Sequence, residues 1–261
     1  MKNKSPKTLP RVTTVLIVCA LLLGGCQSAA LTPTPAPTAT SAPVTMPTTP
    51  GQDSIRITKY PDDYTAFKIE VQGGATIITD PFMMDERVHA DIVTESHQHG
   101  DHNDESGIVE PYELIKEPGS FDLAGVKITG VAGVHNRPAS SNMNNPNIIF
   151  VFDLGGIRLA QFASQGDFPT PAMFAQIGKV DVLVIQFFKE ADSKLSVLEA
   201  QKIAGQLSAR IIIPAHGDQS LNEGFAQQLG ADFKREPSGI LNLSRSDLDQ
   251  LNKPVVVVLD H

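Results

Sequence analysis

Residues 96–102 read Ser-His-Gln-His-Gly-Asp-His, so three of the chain's seven histidines and one aspartate fall within six consecutive positions. The cluster follows the apolar run at 90–93, where a strand should end. Side chains two apart in an extended segment point the same way, so His97 and His99 converge on one point. Asp101 and His102 come where the chain turns, and they project toward a neighbouring point. Imidazoles mixed with carboxylate suit zinc or another borderline divalent metal better than calcium, which takes oxygen alone. A loop that is merely polar has no need of this density of histidine.

The N-terminus has a different character. Residues 1–11 carry four positive charges and no negative one, and an apolar run follows at 12–23. That run is too short for a stop-transfer helix and has the flanks of a signal peptide. It ends in Leu23-Gly24-Gly25-Cys26, which resembles the lipobox of bacterial lipoproteins. Residues 1–25 are therefore expected to be removed, with Cys26 lipidated and the protein held outside the cytoplasm on a membrane. Residues 27–52 contain no charge and are dominated by Thr, Pro and Ala, a composition expected to form an extended tether rather than a core. The other cysteine, Cys19, lies in the leader, so the domain at 53–261 has no disulfide and no thiolate ligand. Any anionic ligand must be Asp or Glu.

Those two hundred or so residues suffice for one domain with a sizeable core. The net charge of −8 becomes −12 once the four leader cations are lost. An acidic surface argues against nucleic acid as a partner and against a polybasic membrane contact. Strand-like runs are expected at 54–59, 64–71 and 75–79, with Gly73-Gly74 turning a hairpin and Asp80-Pro81 stopping the last strand. A helix is expected over 103–115, interrupted by Pro111. Further strands are expected at 121–123, 126–134, 147–153, 157–162, 180–186, 210–215, 239–243 and 254–259. Thr170-Pro171 marks one helix start, and Ser196…Glu199 is a capping box that opens a helix to Leu207. A last helix is expected at 221–229. Hairpins followed by strand–helix alternation suit an α/β arrangement of two packed sheets with helices outside.

Five histidines then stand at strand ends: His97, His99, His102, His135 and His216. Alone, His135 or His216 would read as an ordinary loop histidine; beside the cluster, both fall where loops of one sheet edge converge. His89 and His261 have no motif around them and read as surface residues.

With these residues in view, the chain resembles the metallo-β-lactamase superfamily, and within it the branch that includes ascorbate-6-phosphate lactonase and many zinc-dependent hydrolases. The resemblance covers 55–217. It rests on Gly73-Gly74…Asp80-Pro81, His97-x-His99-x-Asp101-His102, His135, Gly155-Gly156-Ile157-Arg158, the stretch 177–183 and Ile213-Pro214-Ala215-His216. It implies an αβ/βα sandwich of two mixed sheets with outer helices and metal at one edge. His97, His99 and His135 would hold a first ion, and Asp101, His102 and His216 a second. Relatives carry a Gly-Asp pair whose carboxylate bridges the ions, and a gapless count places that pair at Ala163-Ser164. Gly166-Asp167 lies three residues later, so either the loop has slipped and Asp167 bridges, or Ser164 stands at that position. The usual Pro-Val-Gly-Gly after the strand at 180 is replaced by Gln186-Phe187-Phe188, which alters a loop beside the pocket.

Three imidazoles on one zinc leave a fourth position for water, whose pKa falls to about 7 there. Asp101 is the candidate to orient that nucleophile or take its proton. The expected function is a membrane-anchored hydrolase of a small ester, lactone or phosphodiester, using one or two zinc or other divalent ions. The competing expectation is a catalytically idle metal-binding lipoprotein on the same fold. A solute-binding lipoprotein would share the tether but would not need the histidines.

Overall fold

Two sheets meet face to face because each presents an apolar face to the other. The computed structural model describes residues 53–60, 66–84, 86–137, 146–189, 193–215 and 219–260. The expected leader, tether and Cys26, together with His216 and His261, lie outside the described residues. In spatial order the six-stranded sheet runs Ile240–Ser244, Ser54–Lys59, Phe67–Val71, Thr76–Thr79, Ile92–Thr94 and Glu113–Ile115. The eight-stranded sheet runs Asp232–Glu236, Val255–Leu259, Ile211–Pro214, Val182–Ile185, Ile157–Gln161, Pro146–Leu154, Val126–Val134 and Gly119–Leu123. Both are mixed. A two-stranded sheet pairs Val88–His89 with Ile108–Val109.

Four α-helices are described: α1 (Pro171–Ile177), α2 (Val197–Leu207), α3 (Gln219–Leu229) and α4 (Arg245–Gln250). Alternation along the strands assigns each side chain to a layer. Val182, Val184, Ile211 and Ile213 join Phe67, Ile69, Phe150 and Phe152 between the sheets. Leu183, Ile185 and Ile212 point the other way, onto Ile203, Leu207 and Phe225 of α2 and α3. Burial on both faces is why these strands read as unbroken apolar runs. On the far side of the six-stranded sheet, Ile78 and Val93 are covered by Tyr60, Val88, Ala90 and Ile108. The helices α1 to α3 thus cover one outer face, and the small strand pair covers part of the other.

The expected helix over 103–115 is replaced by one 3-10 turn, Glu105–Gly107, followed by the short strands Ile108–Val109 and Glu113–Ile115. Pro111 denies a helix its hydrogen bond, and the β-branched Ile108-Val109 and Ile115 find parallel partners in Val88–His89 and Ile92–Thr94. Three elements have no counterpart in the sequence reading: the short strand Val88–His89, the edge strand Asp232–Glu236 and α4. The helix caps expected at Thr170 and at Ser196 with Glu199 are both present.

Parallel pairing of Ile157–Gln161, Val182–Ile185 and Ile211–Pro214 brings their C-terminal ends to one edge. Val126–Val134 runs in the same direction, since two antiparallel pairings separate it from Ile157–Gln161. At this edge the two sheets are joined directly, because the Ile148 amide donates to the Ser96 carbonyl at 2.8 Å.

Candidate metal centre

The loop after Ile92–Thr94 delivers His97 and His99, and the end of Val126–Val134 delivers His135 from the opposite sheet. One ligand nitrogen from each of the three lies within 4.8 Å of the others. The His135 ring centroid is 4.5 Å from that of His97 and 4.5 Å from that of His99. His97 is 3% exposed, and its Nε2 has no hydrogen-bond partner; His135 Nδ1 is likewise buried and unpartnered. A buried, unsatisfied nitrogen costs roughly 1–3 kcal/mol, so two of them on the imidazoles of one cluster call for a partner. A divalent ion fits that donor set.

Electrostatics agree. Burial, followed by the neighbouring imidazoles of His102, His135 and His99 and the Lys194 ammonium, pushes His97 down to about 2. Burial, then Lys194, His99 and His102, pushes His135 down to about 4. Both are therefore neutral near pH 7, the form that ligates metal.

His102 adjoins this group, with its ring centroid 4.0 Å from that of His97. Its Nδ1 lies 3.2 Å from Asp80 Oδ2, and its Nε2 lies 3.8 Å from Asp101 Oδ2. Asp80 is 1% exposed. It also accepts from the Ser96 amide at 2.6 Å, from Ser96 Oγ at 2.9 Å and from Gln161 Nε2 at 3.3 Å. Ser96 Oγ in turn lies 2.9 Å from His97 Nδ1. Asp80 thus orients His102 directly and His97 through Ser96, the arrangement by which carboxylates orient metal-binding imidazoles. It does so with φ at +46°, a strained value retained where surrounding contacts hold it. In the sequence Asp80 reads as a strand stop and as part of the Asp80-Pro81 match to relatives, with no orienting role.

The question of the bridging position divides three residues. Ala163 has φ at +48°, a backbone conformation favoured by glycine and the one a gapless count assigns to the glycine of relatives. Ser164 follows it and is buried. Asp167 has a side chain 41% exposed, its Oδ1 lies 4.0 Å from Arg137 Nε, and it lines a surface hollow of about 480 Å³ with Phe168, Met173 and Glu199. Gly166 has its own reason to be glycine. A Cβ there would stand 2.7 Å from the His135 carbonyl, 2.8 Å from Asn136 Cα and 2.8 Å from the Ser193 carbonyl.

One group is absent from the sequence reading altogether. Lys194, on the segment entering α2, donates to the His135 carbonyl at 2.7 Å and the Ser164 carbonyl at 3.1 Å, and its Nζ lies 3.0 Å from His135 Nε2. Burial lowers it to about 8, while the Asp101 carboxylate opposes the fall. No sequence signal marks this lysine, because its place depends on three loops meeting.

Residues 57–216 match the profile of the family described as β-lactamase superfamily domain. The chain belongs to that superfamily. A candidate zinc-dependent hydrolase of the metallo-β-lactamase superfamily from Thermotoga maritima is 30% identical, with a TM-score of 0.62 over 78% of this chain and 98% of that one. A candidate metal-dependent hydrolase from Parabacteroides distasonis is 16% identical, with a TM-score of 0.55 over 79% and 93%. The superfamily fold also carries different chemistry. The diiron β-hydroxylase CmlA of Streptomyces venezuelae shares it at 11% identity and a TM-score of 0.50, over 81% of this chain and 54% of that one. A comparison with curated proteins gives no match.

Proposed function

We propose that this superfamily member is a metal-dependent hydrolase that holds its ion on His97, His99 and His135. The observation carrying this reading is the convergence of three imidazoles within 4.8 Å, two of them with buried nitrogens that lack any other partner. Zinc suits an all-imidazole site, and when bound it supplies a Lewis acid and an activated water. The remaining roles belong to the chain. Asp80 fixes the orientation of His102 and, through Ser96, of His97. Asp101, with a side chain 42% exposed, stands at the rim of the cluster and serves to orient water or accept its proton. His102 and His216 are the further candidates for metal contact. The substrate is a small ester, lactone or phosphodiester.

The anchoring of the protein belongs to the same proposal. Cys26 carries lipid and holds the domain on the outer side of a membrane through the Thr/Pro-rich tether. Cys26→Ser should release the protein from the membrane fraction, and unchanged fractionation would end that reading.

One observation favours the idle-module alternative: Asp167 faces Arg137, which leaves the centre without an evident bridging carboxylate among the described residues. Turnover separates the two. Zinc-loaded protein is to be assayed against a panel of lactones, aryl esters and phosphodiesters. Hydrolysis lost on chelation and in His99→Ala supports the hydrolase; metal binding without turnover of any of the three classes supports the idle module.

A further inference from the structure

Lys194 and Ser164 stand together where a two-metal centre would need an anion. Ala163 adopts the left-handed backbone conformation that suits a glycine, and Ser164 follows it, buried, at the position where the resemblance to relatives puts the bridging carboxylate. Serine is neutral there. Beside it is a cation: Lys194 Nζ is held by the carbonyls of His135 and Ser164, and its third contact is His135 Nε2, inside the histidine cluster. Two carbonyls hold the ammonium, and its third contact is an imidazole of the cluster. Asp101 is the anion that acts on it across the cluster.

A second divalent ion would have to sit close to this ammonium with no carboxylate from Ser164 to screen either charge. Like charges at such spacing in a poorly solvated site repel strongly. A fixed ammonium is also the group that an anionic oxygen of a substrate would seek. We propose that Lys194 stands in for a second metal ion, confining the centre to one ion and binding an anionic oxygen of the substrate, on a phosphoryl or carboxylate group.

The inference rests on the metal-site reading above, and bound metal separates the two. Full-length protein purified in detergent, saturated with zinc and freed of excess, should contain one ion per chain. Two ions per chain would leave the hydrolase reading standing and overturn the role of Lys194; no ion would overturn both. Affinity for inorganic phosphate and for acetate is then measured by titration calorimetry on zinc-loaded parent and on Lys194→Met. The tighter of the two anions names the substrate group, and its affinity should fall at least tenfold in the variant while zinc content does not fall below one. Lys194→Gln, whose amide still donates to the two carbonyls, carries the same criterion should Lys194→Met not fold. A purely structural lysine would leave anion affinity unchanged. That result, or a parent that binds neither anion, overturns the proposal.

Discussion

Asp80 shows how much of the centre depends on a residue that carries no ligand role itself. Four contacts converge on its carboxylate, from the Ser96 amide and hydroxyl, Gln161 and His102. Asp80→Ala would strand buried donors, each costing roughly 1–3 kcal/mol. Asp80→Asn keeps the volume but removes the charge facing His102. Loss of such an orienting partner typically weakens metal binding by about 10–100-fold. The expected outcome for Asp80→Asn is therefore a folded protein with zinc affinity reduced in that range, measured by competition with a chromophoric chelator. Unchanged affinity would show that Ser96 and packing suffice. At Gly166 the constraint is steric. Gly166→Ala must push apart the carbonyls of His135 and Ser193, and a fall in both stability and metal affinity is expected, measured by denaturant midpoint and zinc titration.

Among the elements, α2 couples the helical layer to the site. Ser196 accepts from the Glu199 amide, Glu199 caps in return, and Glu199 Oε2 also pairs with Arg137 Nη2 at 2.5 Å, two residues beyond His135. Burial alone would raise the Glu199 carboxyl, but the Ser196 hydrogen bonds and Arg137 outweigh it and hold it below its ordinary 4.5. A group depressed in the folded state contributes stability that is present above its unfolded value and lost as pH falls through the folded one. Glu199→Gln should accordingly flatten the loss of stability below about pH 4.5, followed by chemical denaturation at several pH values; an identical acid limb would contradict this. Ser196→Ala should cost about 1 kcal/mol through the cap.

Elements of this kind were the legible ones. The cap residues and the doubly buried runs at Val182–Ile185 and Ile211–Pro214 announce themselves by local pattern. The edge strand Asp232–Glu236 does not. It alternates with charge on a sheet margin, and Lys234 and Arg235 pair with Glu236 and Asp260 rather than with a core. α4 is hidden because Leu248 is its one buried side chain. Of the site, His97, His99 and His135 could be read from strand ends. Lys194 and the orienting task of Asp80 could not, since each exists only through contacts between distant loops.

At the scale of the molecule, the cluster draws its histidines from both sheets: His97 and His99 follow a strand of the six-stranded sheet, and His135 follows a strand of the eight-stranded one. An ion bound by all three would tie the layers together and favour the folded chain, where His135 joins His97 and His99. A ligand at a hundred times its dissociation constant stabilises by about 2.7 kcal/mol, a rise of roughly 5–10 °C in the melting midpoint of a domain this size. Zinc should raise the midpoint by that order, and chelation should reverse it. The central claim is that His97, His99 and His135 are the ligands, and equilibrium dialysis of the parent and of His97→Ala against zinc tests it most directly. Tight zinc binding in the parent, weakened at least about tenfold in His97→Ala with the fold intact, is the predicted result. Equal binding by the two proteins, or no binding by the parent, would contradict it.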